Sequence, residues 1–450
     1  MPVLLPTDAL LWLLVAAGAA FGVVSASREH LAAPWSRVFR SRAAVASAVV
    51  LAVFATVGLL DSLHYRPRLP SADPAAPPAY AVEVRSVLDA LLAPLRTRSE
   101  KTYSAPLATR LFQKESVERP DGTTVREYPR LAYGGAQLRD EGDRGRDIAL
   151  RAIAGLAGAA ALWWLLVAIG RRTLARRWPR VPWGAAAAAL GGILALAGPA
   201  AGLATGYHVL GTNQVGIDVL YQALKSIRTS LVIGTVTTLV LLPLGIAAGV
   251  SAGYFRGRID DAIQFVYTTL NSIPGVLLIA ASVLMIQVLI DSHPGAFETA
   301  AQRADMRLLA LCAILGLTSW TGLARLLRGE SLKLSEQDYV QAAHAFGVSH
   351  ARILARHLLP NVAHIVVISL VLDFSGLVLA EAVLSYVGVG VDPSTTSFGT
   401  MINAARLEMA REPMVWWSLA AAFFFMLALV LSANLFADAV RDGFDPRVRV

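Results

Sequence analysis

Lysine is almost missing from this 450-residue chain: four of its 40 basic residues are Lys and the rest are Arg. The residues before those lysines are Glu100, Gln113, Leu224 and Leu332. A P-loop needs Gly immediately before the Lys that reaches the phosphates. None of the four qualifies, so any ATP chemistry belongs to another chain. Cysteine is scarcer still. Cys312 stands alone inside an apolar run, which excludes a disulfide within one chain and reads as a small buried hydrophobe. No H-E-x-x-H pair and no Cys/His cluster points to a catalytic metal. Charged residues are 16% of the chain, against roughly 25% in soluble domains. Hydrophobic residues make up 55%, and the mean hydropathy is +0.55. The class is therefore a polytopic, all-α membrane protein. The net charge of +8 needs no nucleic acid to explain it, because the arginines cluster beside apolar runs, as the positive-inside rule produces.

Nine runs are long enough to span a bilayer: 8–26, 43–62, 149–170, 183–206, 229–253, 264–290, 307–327, 362–382 and 415–438. The first has no basic residue before Ala9–Val24, and Arg28, Arg37, Arg40 and Arg42 follow it. It reads as a retained helix with its N-terminus outside, not as a cleaved signal. Arg171, Arg172, Arg176, Arg177 and Arg180 mark a second cytoplasmic segment, and Arg441, Arg447 and Arg449 place the tail inside. The chain divides into two N-terminal spans (1–62), an extracytoplasmic stretch (63–148), a third extra span with a basic cytoplasmic linker (149–182) and a core (183–450). The outer stretch opens with Pro67, Pro70, Pro74, Pro77 and Pro78. It shows helical periodicity over Val82–Leu95, and is barely large enough for a core of its own.

Gly249-Val250-Ser251-Ala252-Gly253 matches the G-x-S-x-G pattern of a nucleophile elbow, which needs a strand, a strained turn and a helix. Here it ends an apolar run, where small residues serve close helix packing. Ionisable groups inside a membrane are costly and often functional. Asp373 falls in the eighth run as a candidate pathway or helix-gluing acid, and Glu381 falls at its outer end, in a re-entrant stretch 381–400. Asn271 and Pro274 lie in the sixth run, where proline breaks a backbone bond and forms a hinge.

The most informative segment is 335–361. Ser335 is placed to cap a helix over 336–346, with Glu336 and Asp338 in its first turn. Gly347 suits a left-handed turn, Ser349 a second cap, and Pro360 the end of a helix over 350–358. Tyr339, Ala342, Ala343 and Phe346 share one helical face. Such a face fits either a groove on a partner or this chain's own membrane domain.

Gln341-Ala342-Ala343, then Gly347, then Leu359-Pro360 resembles the EAA loop of ABC importer permeases. His208–Leu220 is similar to the HPLGTDxxGRDVL segment of the dipeptide and oligopeptide permeases. Gly253-Tyr254-Phe255 with Ile259-Asp260 resembles their GYYGGxxD turn, Ala380–Gly390 their AEAxLSFLGLG run, and Asp438–Pro446 their closing RDxxDP stretch. These motifs cover about 183–450 in order and are most similar to the C-type subunit. Gln341 stands in place of the consensus Glu, His357 in place of Ile, Asn213 and Ile217 in place of Asp and Arg, and Phe398-Gly399 in place of Trp-Gly.

The resemblance implies a six-helix importer core in the bacterial inner membrane. It implies a B-type permease partner, two ATPase subunits that bind ATP and Mg, and an extracytoplasmic solute-binding protein. It implies no cofactor and no catalytic site in this chain. Tyr339, Gln341, Ala342, Ala343, Phe346, Gly347, Leu359 and Pro360 would form the ATPase-coupling surface. Peptides are the implied cargo, with nickel chelates, opines or glycosides as the alternative. A secondary transporter using Asp373 and an intramembrane hydrolase using Ser251 are the readings from other classes, and neither explains the ordered motifs. Residues 1–182 lie outside the resemblance.

Overall fold

A computed structural model describes residues 1–27, 29–69, 79–118, 124–293, 295, 297 and 299–444. Arg28, Pro70, Pro74, Pro77, Pro78, Asp445, Pro446, Arg447 and Arg449, all used in the sequence reading, lie outside the described residues. Apolar periodicity and alanine richness become long helices. Among the described residues eight are long and apolar enough to cross a membrane, and a bent pair makes a ninth.

The chain divides into two compact units. The first comprises Met1–Leu4, Phe39–Ser230 and Thr395–Ser432, the second Leu5–Val38, Leu231–Ser394 and Ala433–Val450. The second unit holds α1 (Pro6–Ser27) and α2 (Glu29–Val38). The first unit holds α3 (Arg42–Asp61), whose N-cap Ser41 accepts from the Ala44 N–H. Three short strands, β1 (Pro2–Val3), β2 (His64–Tyr65) and β3 (Arg85–Ser86), form an antiparallel sheet in that order.

The periodicity over Val82–Leu95 does not yield one helix. It gives two five-residue helices, α4 (Val87–Leu91) and α5 (Ala93–Thr97). Ser86 and Asp89 close a capping box at the start of α4, while Pro94 has no N–H to return to the Ala90 carbonyl and stops its propagation. A hairpin of β4 (Glu115–Glu118) and β5 (Thr124–Glu127) follows. The stretch 63–148 does not bury its apolar residues alone. Leu138 shares a cluster with Leu203 and Tyr207, and Phe112 meets Trp417 edge-on at 4.8 Å. The long helices α6 (Arg144–Arg177) and α7 (Trp183–Ala204) pack together at small residues. A Cβ on Gly155 would lie 2.2 Å from the Gly198 carbonyl oxygen, so only glycine permits this backbone approach.

Helix α8 (Val219–Phe255) opens in the first unit and continues in the second. The sixth apolar run is not one straight helix. It is α9 (Gly257–Ser272) and α10 (Gly275–Asp291), bent by 87° across Ile273-Pro274. Pro274 has φ −55° and ψ 117°, extended backbone that cannot belong to either helix. Helices α11 (Ala300–Ser319) and α12 (Thr321–Ser335) come next, then α13 (Asp338–Ala345) and α14 (His350–Ile353). A π-helical turn over Leu354–Leu358 leads into α15 (Leu359–Val387). Pro360 therefore does not end a helix: it sits in the first turn of α15. The wider π turn removes the i→i−4 requirement that a proline there would break. Residues 381–387 are the last turns of α15, so the non-helical stretch starts at Gly388, not at 381. Gly388 closes that helix with φ 87°. Helices α16 (Phe398–Glu408) and α17 (Trp417–Phe444) complete the chain.

Candidate functional site

Within the second unit, residues 335–361 form a docked structure built on a hydrophobic floor. Val340 on α13, Ile353 on α14, Leu358 in the π turn and Val362 on α15 are buried with Leu241, Leu323 and Leu327. Burying a side chain such as Val340 contributes roughly 1.5–3 kcal/mol, enough to hold a two-turn helix that would not form alone. Ser335 does not cap this helix. It is the last residue of α12, its hydroxyl donates to the Leu332 carbonyl, and Gln337 occupies the N-cap with no side-chain cap bond. The slip has a simple cause: α12 runs on through Ser335, so the chain reaches the N-cap geometry two residues later. Gly347 has φ +72° with open space around its Cα, a left-handed turn after α13. Ser349 takes the second N-cap position but makes no side-chain cap bond.

The face read from the sequence is present in part. Tyr339 is 43% and Phe346 87% exposed, and Ala342 is exposed between them. Ala343 instead turns toward the buried floor with Val340. The helix thus shows two aromatics with a flat alanine between them. Gln341 is exposed, and its Nε2 donates to the Glu336 carbonyl at 3.2 Å, a local bond that needs no charge. Leu359 and Pro360 are exposed beside Asn361, whose Nδ2 donates to the Tyr339 hydroxyl at 3.2 Å. The Tyr339 and His357 rings lie 6.0 Å apart.

Two motifs that are far apart in sequence meet here. The turn after α8 carries Arg256 and Gly257, both at positive φ. Arg256 donates to the Ser335 hydroxyl at 2.9 Å and pairs with Glu336, and Tyr254 is hydrogen bonded to His350 at 2.8 Å. Arg328 on α12 grips Asp260 through both nitrogens, at 2.6 and 2.7 Å. The His344 and His350 rings sit 5.0 Å apart edge to face. A cleft of about 480 Å³ opens between the turn and α13, lined by Tyr254, Arg256, Glu336, Gln341, His344 and His350 among others. Sequence reasoning quoted Tyr254 and Asp260 but missed Arg256, Arg328 and His350. The signal was the string Arg256-Gly257-Arg258, which a membrane run does not need.

The pathway candidates do not converge. Asp373 is half-buried on α15 and makes no hydrogen bond or ion pair among the described residues. Asn271 accepts from the Thr321 hydroxyl at 3.2 Å at the end of α9, and Pro274 is the elbow itself. Glu381 is fully buried and accepts from the Ser385 hydroxyl at 2.6 Å. Ser251 lies near the C-terminal end of α8, with no strand or elbow around it. Its flanking glycines carry the contact: a Cβ on Gly253 would meet the Arg328 carbonyl oxygen at 2.6 Å and one on Gly249 the Leu327 Cβ at 2.7 Å.

In the first unit, the segment His208–Leu220 has a second partner that the sequence did not reveal. His208 bonds Asp218 at 2.8 Å and Glu100 at 3.4 Å, all three buried. Glu100 also accepts from the N–H groups of Ala132, Tyr133 and Gly134. Burial alone would raise its pKa. The His208 bond and the three backbone donors outweigh that and hold it at about 2. Burial alone would lower His208, and its two carboxylates lift it to about 9. Gly216, at φ +75°, is forced: a Cβ there would stand 1.7 Å from the Glu100 carbonyl oxygen. Asn213, in the place of the family Asp, accepts from the N–H groups of Val215 and Ile217 and closes the turn without charge.

A family described as binding-protein-dependent transport system inner membrane component matches residues 245–450. The dipeptide transport system permease protein DppC of Lactococcus lactis is 30% identical over 240 residues, 53% of this chain and 64% of that one, just under two thirds of its length. The oligopeptide transport system permease protein OppC of Mycobacterium tuberculosis is 32% identical over 242 residues, 54% of this chain and 77% of that one. DppC of Bacillus subtilis is 29% identical over 242 residues, 54% of this chain and 69% of that one. With its membrane-spanning helices, its docked α13 and this likeness, the chain belongs to the inner membrane components of binding-protein-dependent transport systems, the permease subunits of ABC importers.

Proposed function

We propose that this chain forms half of a translocation path for di- or oligopeptides and is driven by separate ATPase subunits seated on α13. The observation that carries the reading is the division of labour on that helix. Val340 is buried in the chain's own core while Tyr339, Ala342 and Phe346 are exposed. Two exposed aromatics around a flat alanine suit a partner's groove. The ion pair and hydrogen bonds from Arg256 and Tyr254 tie the residues on either side of that helix, Ser335 and Glu336 before it and His350 after it, to the turn after α8, so force applied at α13 has a short route to a membrane helix. In this reading ATP and Mg bind the ATPases, and no ATPase site belongs to this chain. A B-type permease completes the path, and a binding protein delivers solute from outside. The arginine-rich segments place the N-terminus outside and the C-terminus and α13 in the cytoplasm. Peptide cargo rests on the likeness to peptide permeases.

The test is affinity capture of the tagged full-length chain from solubilised membranes, wild type against Gly347→Asp. The substitution strains the left-handed turn by about 1 kcal/mol and adds charge at the docking face. Wild type is expected to bring down an ATPase and a second permease, and the variant to lose the ATPase while keeping the permease. Capture of no ATPase by wild type rejects the reading.

A further inference from the structure

The tip of the α6–α7 hairpin carries an uncompensated positive charge. Arg171, Arg172, Arg176, Arg177 and Arg180 fall within ten residues that contain no Asp or Glu. All five are exposed, and none has a hydrogen bond or ion pair among the described residues. Several cations elsewhere in the chain are paired. Arg85 and Arg96 share Glu83, Arg110 holds Glu141, Arg307 holds Asp291 and Asp392, and Arg328 holds Asp260. One indole ring stands within the charge and another just after it. Trp178 is 54% exposed directly after α6, and the Trp183 Nε1–H that opens α7 donates to the Trp178 carbonyl at 3.0 Å, fixing the turn. Just before the tip, α6 shows Trp164, Leu165 and Ile169 on its surface.

An apolar helix surface that gives way to bare guanidinium groups interleaved with indole is the change of polarity met in crossing from acyl chain to phosphate. Guanidinium matches a phosphodiester with paired N–H donors and is weakly hydrated, so it gives up water readily there. We propose that the tip at 171–183 is a binding site for anionic phospholipid headgroups. It lies outside the family-matched residues 245–450, and it rests on no reading of the coupling loop. The five arginines hold phosphatidylglycerol-type lipids against the hairpin, and Trp178 sits at the glycerol level beside them. The tip of the hairpin is thereby pinned at the membrane surface by charge.

The test titrates phosphatidylglycerol and phosphatidylcholine separately onto the detergent-purified full-length chain and reads bound lipid by native mass spectrometry. Each arginine near an anionic surface is worth about fivefold in affinity. The triple variant R176Q/R177Q/R180Q is expected to bind phosphatidylglycerol on the order of a hundredfold more weakly, with phosphatidylcholine binding unchanged. The R176K/R177K/R180K variant keeps the charge and is expected to retain most of the affinity, which separates lost charge from misfolding. Added salt weakens the wild-type complex. Equal phosphatidylglycerol binding by the glutamine variant and wild type overturns the proposal. So does a wild type that does not distinguish the two lipids, or displacement of the lipid by equimolar free glycerol phosphate. Retention of lipid with loss of a co-purifying protein subunit reassigns the tip to protein docking.

Discussion

The stretch 63–148 and the loop 335–361 are both insertions between membrane helices, yet they are fastened by opposite means. The first is secured by buried charge. Glu100 and Asp218 both meet His208, and Lys225 reaches Asp61 at 2.6 Å and Asp89 at 3.1 Å with the Tyr221 hydroxyl donating to Asp89 at 2.7 Å. The second rests on a few apolar side chains and exposed polar bonds: Arg256 and Glu336 are about half exposed. Buried ion clusters tolerate no vacancy, because removal of one member strands the others in low dielectric. Exposed pairs are worth little individually and re-form easily. A segment that must stay put is suited by the first kind of fastening, and a segment that has to transmit motion by the second.

The comparison breaks most sharply at Lys225. Lys225→Met leaves Asp61 and Asp89 buried together and is expected to cost about 3–5 kcal/mol. That would appear as a large drop in the melting temperature of the purified protein and early proteolysis within 79–148. Survival of the insert at the wild-type temperature contradicts the anchoring role.

Next in size is Gly253→Leu, which forces α8 away from α12 at the Arg328 carbonyl and Ser331. Overpacking of this kind costs typically 1–3 kcal/mol. It should lower thermal stability and transport together, whereas Ser251→Ala in the same pentapeptide should change neither. Loss of transport on Ser251→Ala would revive the nucleophile.

A smaller and graded effect is expected from pH. His208 has its pKa raised from 6.5 to about 9, so its stabilisation is complete below 6.5 and is lost as pH rises through 9. Glu100 has its pKa lowered from 4.5 to about 2, so its share is complete above 4.5 and is lost as pH falls toward 2. Protease resistance of 79–148 should peak between pH 4.5 and 6.5 and decline toward pH 10. His208→Gln should flatten the alkaline limb. An unchanged limb in that variant would point to other groups.

The smallest expected effect on stability is at the loop. Tyr254→Phe removes one half-exposed bond to His350 and should shift unfolding by no more than about 1 kcal/mol. Its effect should appear instead as reduced ATP-driven uptake with ATPase binding intact. Equal uptake by Tyr254→Phe and wild type would show that the turn after α8 does not relay motion.

Much of this molecule was legible before any coordinates. Apolar runs of twenty residues can only be spans, arginine clusters mark their ends, and a glycine between two amphipathic segments announced the left-handed turn at Gly347. The errors had separate local causes. Ser335 looked like a cap because Ser, Glu and Asp follow one another, but helix α12 overran it: a capping residue is chosen by where the preceding helix stops, and packing of Leu323 and Leu327 decided that. Pro360 looked like a terminator because the sequence does not announce a π turn. The Val82–Leu95 periodicity was real but too short to propagate past Pro94.

By itself the sequence determined the membrane class, the order of the apolar runs, and the spacing of the aromatics around α13, all properties of residues within a turn or two of one another. Only the tertiary structure decided that Arg256 meets Glu336 across 80 residues, and that Glu100 reaches His208 across 108. It also decided that the sixth run bends by 87° at Pro274. Hydropathy and helical period are local and additive along the chain. The pairing of two charges depends on the path of everything between them.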